Sequence, residues 1–176
     1  MVKKDETFLI DTNSLITPYR RYYAFDLAPS FWEKLKEHFE SGRIVILDKV
    51  WDELQKGGSE DELARWLKEN RDSFSICTYK TESTVGVYAE VLQYVQTSDL
   101  YNESAIASWA IGTVADPWII AAAKSNGYTI VTEEAGHQNL SSKQKAKQAK
   151  VPDVANALNI SAITLFDMMR RLKIVI

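Results

Sequence analysis

The chain has 176 residues, 45% of them hydrophobic, which is enough for one substantial buried core and too few for two ordinary domains. Its 24 acids against 21 bases leave a formal charge of -3, so no global positive field attracts nucleic acid and any such binding must come from a local patch. One cysteine excludes an internal disulfide, and no apolar leader follows Met1-Val2-Lys3-Lys4-Asp5-Glu6, nor do about eighteen uncharged apolar residues run together, so a soluble cytoplasmic protein without membrane contact is expected.

Thr7-Phe8-Leu9-Ile10 reads as a short strand that ends on Asp11-Thr12-Asn13, which places a carboxylate at a C-terminal strand tip. In open α/β sheets ligands bind beyond those tips, so Asp11 is a candidate for catalysis or metal binding. The loop expected next carries Tyr19, Arg20, Arg21, Tyr22 and Tyr23, aromatics interleaved with arginines that suit a single nucleic-acid strand or a protein interface. Pro29-Ser30-Phe31-Trp32 starts a helix with Phe31, Leu35 and Phe39 on one face, stopped by Ser41-Gly42. Arg43 to Leu47 is a buried strand, and Asp48 then caps a helix with Val50, Trp51 and Leu54 that Gly57-Gly58 ends.

Asp61 to Asp72 repeats the helical pattern through Leu63, Trp66 and Leu67, and Cys77 lies in a strand-like segment as a small apolar residue. Glu82 to Thr113 is mostly helical with a break at Ser98-Asp99. Asp116-Pro117 opens another helix, Gly127 closes it, and Tyr128 to Thr132 is a strand followed directly by Glu133. Ser141 to Lys150 is lysine-rich and nearly free of apolar residues. Thr164 to Lys173 predicts a short amphipathic helix, with a final strand at Ile174 to Ile176. The five tryptophans read as core, and His38 and His137 as surface or structural residues.

Strands separated by helical segments imply parallel pairing, right-handed crossovers and helices on both faces of one sheet, in a single domain over residues 1–176. In that arrangement Asp11, Glu53, Asp116 and Glu133 can all face one sheet edge. Two carboxylates about 5 Å apart repel by roughly 3 kcal/mol at an effective dielectric near 20, so such a cluster calls for protonation or a bound cation. Oxygen donors without histidine or cysteine favour Mg²⁺ or Mn²⁺, and the matching chemistry is metal-assisted phosphodiester hydrolysis. Thr12, Asn13 and Thr132 are placed to orient the carboxylates.

Taken together these residues resemble the PIN domain family of metal-dependent ribonucleases. Phe8-Leu9-Ile10-Asp11-Thr12-Asn13 is similar to its opening motif, Val50-Trp51-Asp52-Glu53-Leu54 to its second, Ala115-Asp116-Pro117-Trp118-Ile119-Ile120-Ala121-Ala122-Ala123 to its third, and Ile130-Val131-Thr132-Glu133 to its fourth. The resemblance implies a three-layer α/β/α sandwich around a central parallel sheet, an Mg²⁺ or Mn²⁺ endoribonuclease acting on single-stranded or structured RNA, and a homodimer. Many small bacterial members are toxins, which adds a protein antitoxin as partner. This chain departs from the pattern by a helical insertion at about residues 58–102 and by its fourth acid, for which Glu133, Glu134 and Asp153 all stand as candidates.

Each feature also has a plainer reading. Asp116 before Pro117 is what a helix cap looks like, so Asp116→Asn should barely move stability while abolishing activity if the residue holds a metal. Lys143, Lys145 and Lys147 form either a solvated face or a phosphate-tracking flap at the cleft rim, and replacing all three with glutamine should flatten the salt dependence of RNA affinity. Two other functions fit the same pattern: an inactive PIN-like module that binds RNA or protein, and an aspartate-nucleophile phosphatase of the haloacid dehalogenase type. The phosphatase needs an aspartate two positions after Asp11, where this chain has Asn13.

Overall fold

Phe8, Leu9 and Ile10 are all fully buried, and a strand with no exposed face belongs in the middle of a sheet covered on both sides. The computed structural model, which describes residues 6–56 and 61–176, shows this arrangement. Five parallel strands, β1 (Phe8–Ile10), β2 (Ile44–Leu47), β3 (Ile76–Cys77), β4 (Thr129–Val131) and β5 (Ala162–Ile163), lie in the order β3-β2-β1-β4-β5. Leu9 stands between Val45 and Ile130 in register, so β1 is central.

The chain runs outward from β1 to β2 and β3, then returns to the far side of β1 for β4 and β5. Right-handed crossovers then place the helices of the two halves on opposite faces, which gives the three-layer α/β/α sandwich. The first half carries α1 (Asn13–Arg21), α2 (Pro29–Glu40), α3 (Asp48–Gln55) and α4 (Glu62–Glu69). The second carries α5 (Glu82–Thr97), α6 (Glu103–Trp109), α7 (Asp116–Asn126) and α8 (Val151–Ala157), with α7 packed on both α5 and α8, and α9 (Leu165–Leu172) ends the fold. The direction reverses between β1 and β4, and at such a switch point the strand ends leave a crevice.

Helix punctuation works largely as the sequence suggests, except that Asp48 is the first residue of α3 and does not cap it: the N-cap position is Leu47, and the Asp48 carboxylate accepts from the Lys49 and Tyr79 N–H groups. Asp61 caps α4 by accepting from the Ala64 N–H, and Gly127 closes α7 at φ 71°, a left-handed conformation that glycine adopts without penalty. The Gly57-Gly58 stop lies outside the described residues, as does the segment Met1 to Asp5.

Three expectations change, and two short elements go unannounced. The segment after Asp11 is helix rather than loop, because Leu15 and Pro18 bury one side of α1 although Pro18 removes one backbone donor. The span expected as a helical insertion, residues 58–102, contains α4 and α5 but also supplies the edge strand β3. Ile174 to Ile176 form no strand: Lys173 turns left-handed at φ 57° and the Ile174 N–H returns to the Met169 carbonyl, closing α9. The elements α8 and β5, with seven and two residues, are too short for periodicity to announce them.

Trp32, Trp109 and Trp118 are buried, Trp51 and Trp66 half-buried against the core. Cys77 is half-buried, and burial first, then the Asp48 charge, push its thiol up to about 11, so it is unreactive at neutral pH. No helix among the described residues is long and apolar enough to cross a membrane.

Candidate functional site

Asp11 extends β1 by one rung, its N–H donating to the Val131 carbonyl at 2.9 Å, so its side chain emerges in the crevice between β1 and β4. The carboxylate is only 6% exposed and accepts from the Thr132 hydroxyl at 3.0 Å and from the Thr12 N–H at 2.7 Å. Burial pushes the carboxyl up to about 6, against the pull of those two hydrogen bonds, and the Glu53 and Glu134 charges push it further. Thr12 also turns the other way, donating its hydroxyl to Glu53 Oε2 at 2.7 Å, and so ties the α3 carboxylate to the tip of β1.

Asp116 is the first residue of α7, but the N-cap position is Ala115 and no side-chain cap hydrogen bond forms. Among the described residues its carboxylate accepts no hydrogen bond at all. Burial, followed by the charges of Asp11, Glu134 and Glu53, pushes it up to about 7. Every charge that acts on it is negative. The plain cap reading therefore fails, and with it the expectation that Asp116→Asn leaves stability nearly untouched.

The two glutamates after β4 part company. Side chains along an extended segment alternate, so Thr132 and Glu134 share one side and Glu133 takes the other. Glu134 is held by the Val151 N–H at 2.8 Å, lies in the same cleft as Asp116, and its charge reaches both Asp11 and Asp116. Glu133 instead accepts from the Leu165 N–H at 3.0 Å and the Tyr22 hydroxyl at 3.4 Å, which ties α9 to α1. Asp153 is committed elsewhere, to His137, through Nδ1 at 2.6 Å and the backbone N–H. An added Cβ on Gly136 would collide with Asp153 Oδ1, so a side chain at 136 requires that carboxylate to shift.

The geometry thus gathers Asp11, Glu53, Asp116 and Glu134 and leaves Glu133 and Asp153 outside. Thr12 and Thr132 orient carboxylates as expected, whereas Asn13 is exposed at the start of α1 and bonds none of these acids. Among the described residues no three acidic, imidazole or thiol groups stand within range of one shared ion as they rest. The Thr12 hydroxyl and the Val151 N–H fix the resting positions of Glu53 and Glu134. The donor set, all oxygen, with Asp11 buried, Glu53, Asp116 and Glu134 half-buried, and only negative charges acting on Asp116, fits a hard divalent cation.

A cleft of about 580 Å³ opens beside Asp116 and Glu134, lined also by Ser104, Ser108, Trp109 and Lys147. Of the three candidate lysines only Lys147 reaches it; Lys145 lies 3.8 Å from Asp99 and Lys143 is exposed in the loop. Arg20 lies 4.0 Å from Asp61 beside Glu53, and Arg21 is exposed at the end of α1. Ser104 and Ser108 went unsuspected in the sequence, because small polar residues on a helix give no signal until the fold shows what they line.

The fold is similar to the crystal structure of FitAcB from Neisseria gonorrhoeae, with a TM-score of 0.55 and 17% identity over 91% of this chain and 99% of that one. It is also similar to the crystal structure of VapBC2 from Rickettsia felis bound to a DNA fragment from their promoter, with a TM-score of 0.54 and 15% identity over 90% of this chain and 98% of that one. No curated protein matches the sequence. The family described as "Domain of unknown function (DUF4411)" matches residues 8–176, from the strand that delivers Asp11 to the last residue, and the chain belongs to that family.

Proposed function

We propose that this protein is an Mg²⁺- or Mn²⁺-dependent endoribonuclease, and that it serves as the toxin of a pair whose other member is a protein antitoxin. The observation that carries the nuclease reading is Asp116: a half-buried carboxylate without a hydrogen bond among the described residues, under the charge of three more acids at the switch point of a parallel sheet. The PIN-like fold and its likeness to FitAcB and VapBC2 along nearly their whole length support the toxin part.

Asp11, Glu53, Asp116 and Glu134 would hold the cation, which supplies Lewis acidity toward a phosphoryl oxygen and a water made acidic enough to ionise near neutral pH. The chain's own contribution is orientation. Thr132 fixes one oxygen of Asp11, Thr12 fixes the other and restrains Glu53, and the buried crevice strengthens every charge interaction within it.

A fluorophore-quencher RNA assay tests the reading directly. Cleavage is expected with Mg²⁺ or Mn²⁺ and none with EDTA; cleavage indifferent to chelation, or none with any divalent metal, overturns it. The second outcome favours an inactive RNA- or protein-binding module, the alternative to which the resting separation of the carboxylates belongs. Thr12→Val should raise the Mn²⁺ concentration needed for half-maximal activity by about 10–100-fold, since it frees Glu53 while leaving every carboxylate in place. An unchanged metal titration would show that this hydroxyl orients nothing.

A further inference from the structure

The lysine-rich segment looks uniform in the sequence, yet the fold gives its members different surroundings. Ala146 is pinned on both sides of its peptide: its N–H donates to the Leu100 carbonyl at 2.8 Å and its carbonyl accepts from the Asn102 N–H at 3.0 Å. Downstream, Ala149 is buried and the Val151 N–H is held by Glu134. Between these fixed points Lys147 lines the cleft of Asp116 and Glu134, while Lys145, just before them, lies 3.8 Å from Asp99.

Lys147 and the two acids share that cleft, yet among the described residues no ion pair joins them. Lys147 is thus without an ion-pair partner among the described residues, and it is the positively charged side chain that lines this cleft. Ser104 lines the same cleft, and its hydroxyl has no partner among the described residues. Ser108 has already given its hydroxyl proton to the Ala105 carbonyl at 2.9 Å, so Ser104 is the serine left to donate.

We infer that Lys147 and Ser104 form a subsite for one backbone phosphate of a single-stranded nucleic acid, which seats the chain beside Asp116 and Glu134. The inference rests on the nuclease reading for its ligand class. RNA and DNA share that phosphate chemistry, so the experiment includes both.

Binding of fluorescein-labelled single-stranded RNA and DNA oligonucleotides is followed by anisotropy in EDTA, over a range of salt concentrations, for the wild type, Lys147→Gln, Ser104→Ala and Lys34→Gln. Lys34, on α2 and paired with Glu37, is the control for a lost surface charge. Lys147→Gln should reduce the slope of log K against log salt by about 0.7, the loss of one single-strand phosphate contact. Ser104→Ala should weaken binding with the slope unchanged, and Lys34→Gln should match the wild type. A wild-type slope in Lys147→Gln, an equal drop in Lys34→Gln, or no binding of either oligonucleotide by the wild type overturns the inference. Because nothing is cleaved in EDTA, failure of the subsite and failure of the nuclease reading give separate results. Loss of binding to RNA alone names RNA as the ligand, and equal loss on both names the phosphate itself.

Discussion

Asp116→Asn should yield a protein that is more stable without metal and inactive with it. At pH 8 the wild-type carboxylate is held charged in a half-buried site beside three acids, and its rise from an ordinary 3.8 to about 7 reflects that cost. At about 1.4 kcal/mol per pKa unit, less what a buried amide without a partner loses, a gain of about 1–3 kcal/mol is expected. For a chain of this size that is several degrees in melting temperature, at about 2–4 °C per kcal/mol. Losing an outer partner of a metal ligand costs about 10–100-fold, so losing a direct ligand should lower the rate of RNA cleavage at least about a hundredfold. Thermal melting in EDTA and a cleavage assay in Mn²⁺ read the two effects on one sample. A variant that melts lower than wild type in EDTA, or that cleaves normally, would return Asp116 to a purely structural role.

The second large effect is a dependence on pH that metal reverses. Asp11 and Asp116 both have raised native values, about 6 and about 7 against an ordinary 3.8. Between those values the native state binds more protons than the unfolded chain, so the stabilisation from this site is complete below about pH 4 and is lost as pH climbs to about 7. A bound cation needs the carboxylates ionised, so its contribution grows over the same interval. The rise in melting temperature produced by Mn²⁺ should accordingly increase from pH 5 to pH 8, and Asp116→Asn should remove most of it. A metal-induced shift that is flat with pH would mean that the ion binds elsewhere.

Much of this site is legible in the sequence because strand tips and helix starts announce themselves. Asp11 follows a continuous apolar run, and Asp116 stands before a proline, which a helix accommodates best in its first turn. Glu53 is readable through its distance from the end of β2, which sets the helical face that turns back toward the tip. The fourth acid is harder, since Glu133 and Glu134 are chemically alike and adjacent. The alternation of side chains supplies the missing signal: once Thr132 is assigned to orient Asp11, Glu134 falls on its side and Glu133 does not.

What stays hidden is contact made by residues without pattern. The helical state of Asn13–Arg21 opposes its local composition and is settled by the burial of Leu15 against the core. The differing roles of Lys145 and Lys147 depend on a backbone bridge between Tyr101 and Ala146, forty-five positions apart in sequence, that no property of the loop encodes.

Both outer strands of the sheet, Ile76–Cys77 and Ala162–Ile163, have only two residues. So short an edge offers a passing peptide almost no ladder of amides and carbonyls to zip onto, which guards against runaway strand-by-strand association. For the proposed protein partner this predicts recognition of side chains displayed by helices and turns, with specificity set by surface shape and charge instead of shared backbone hydrogen bonding.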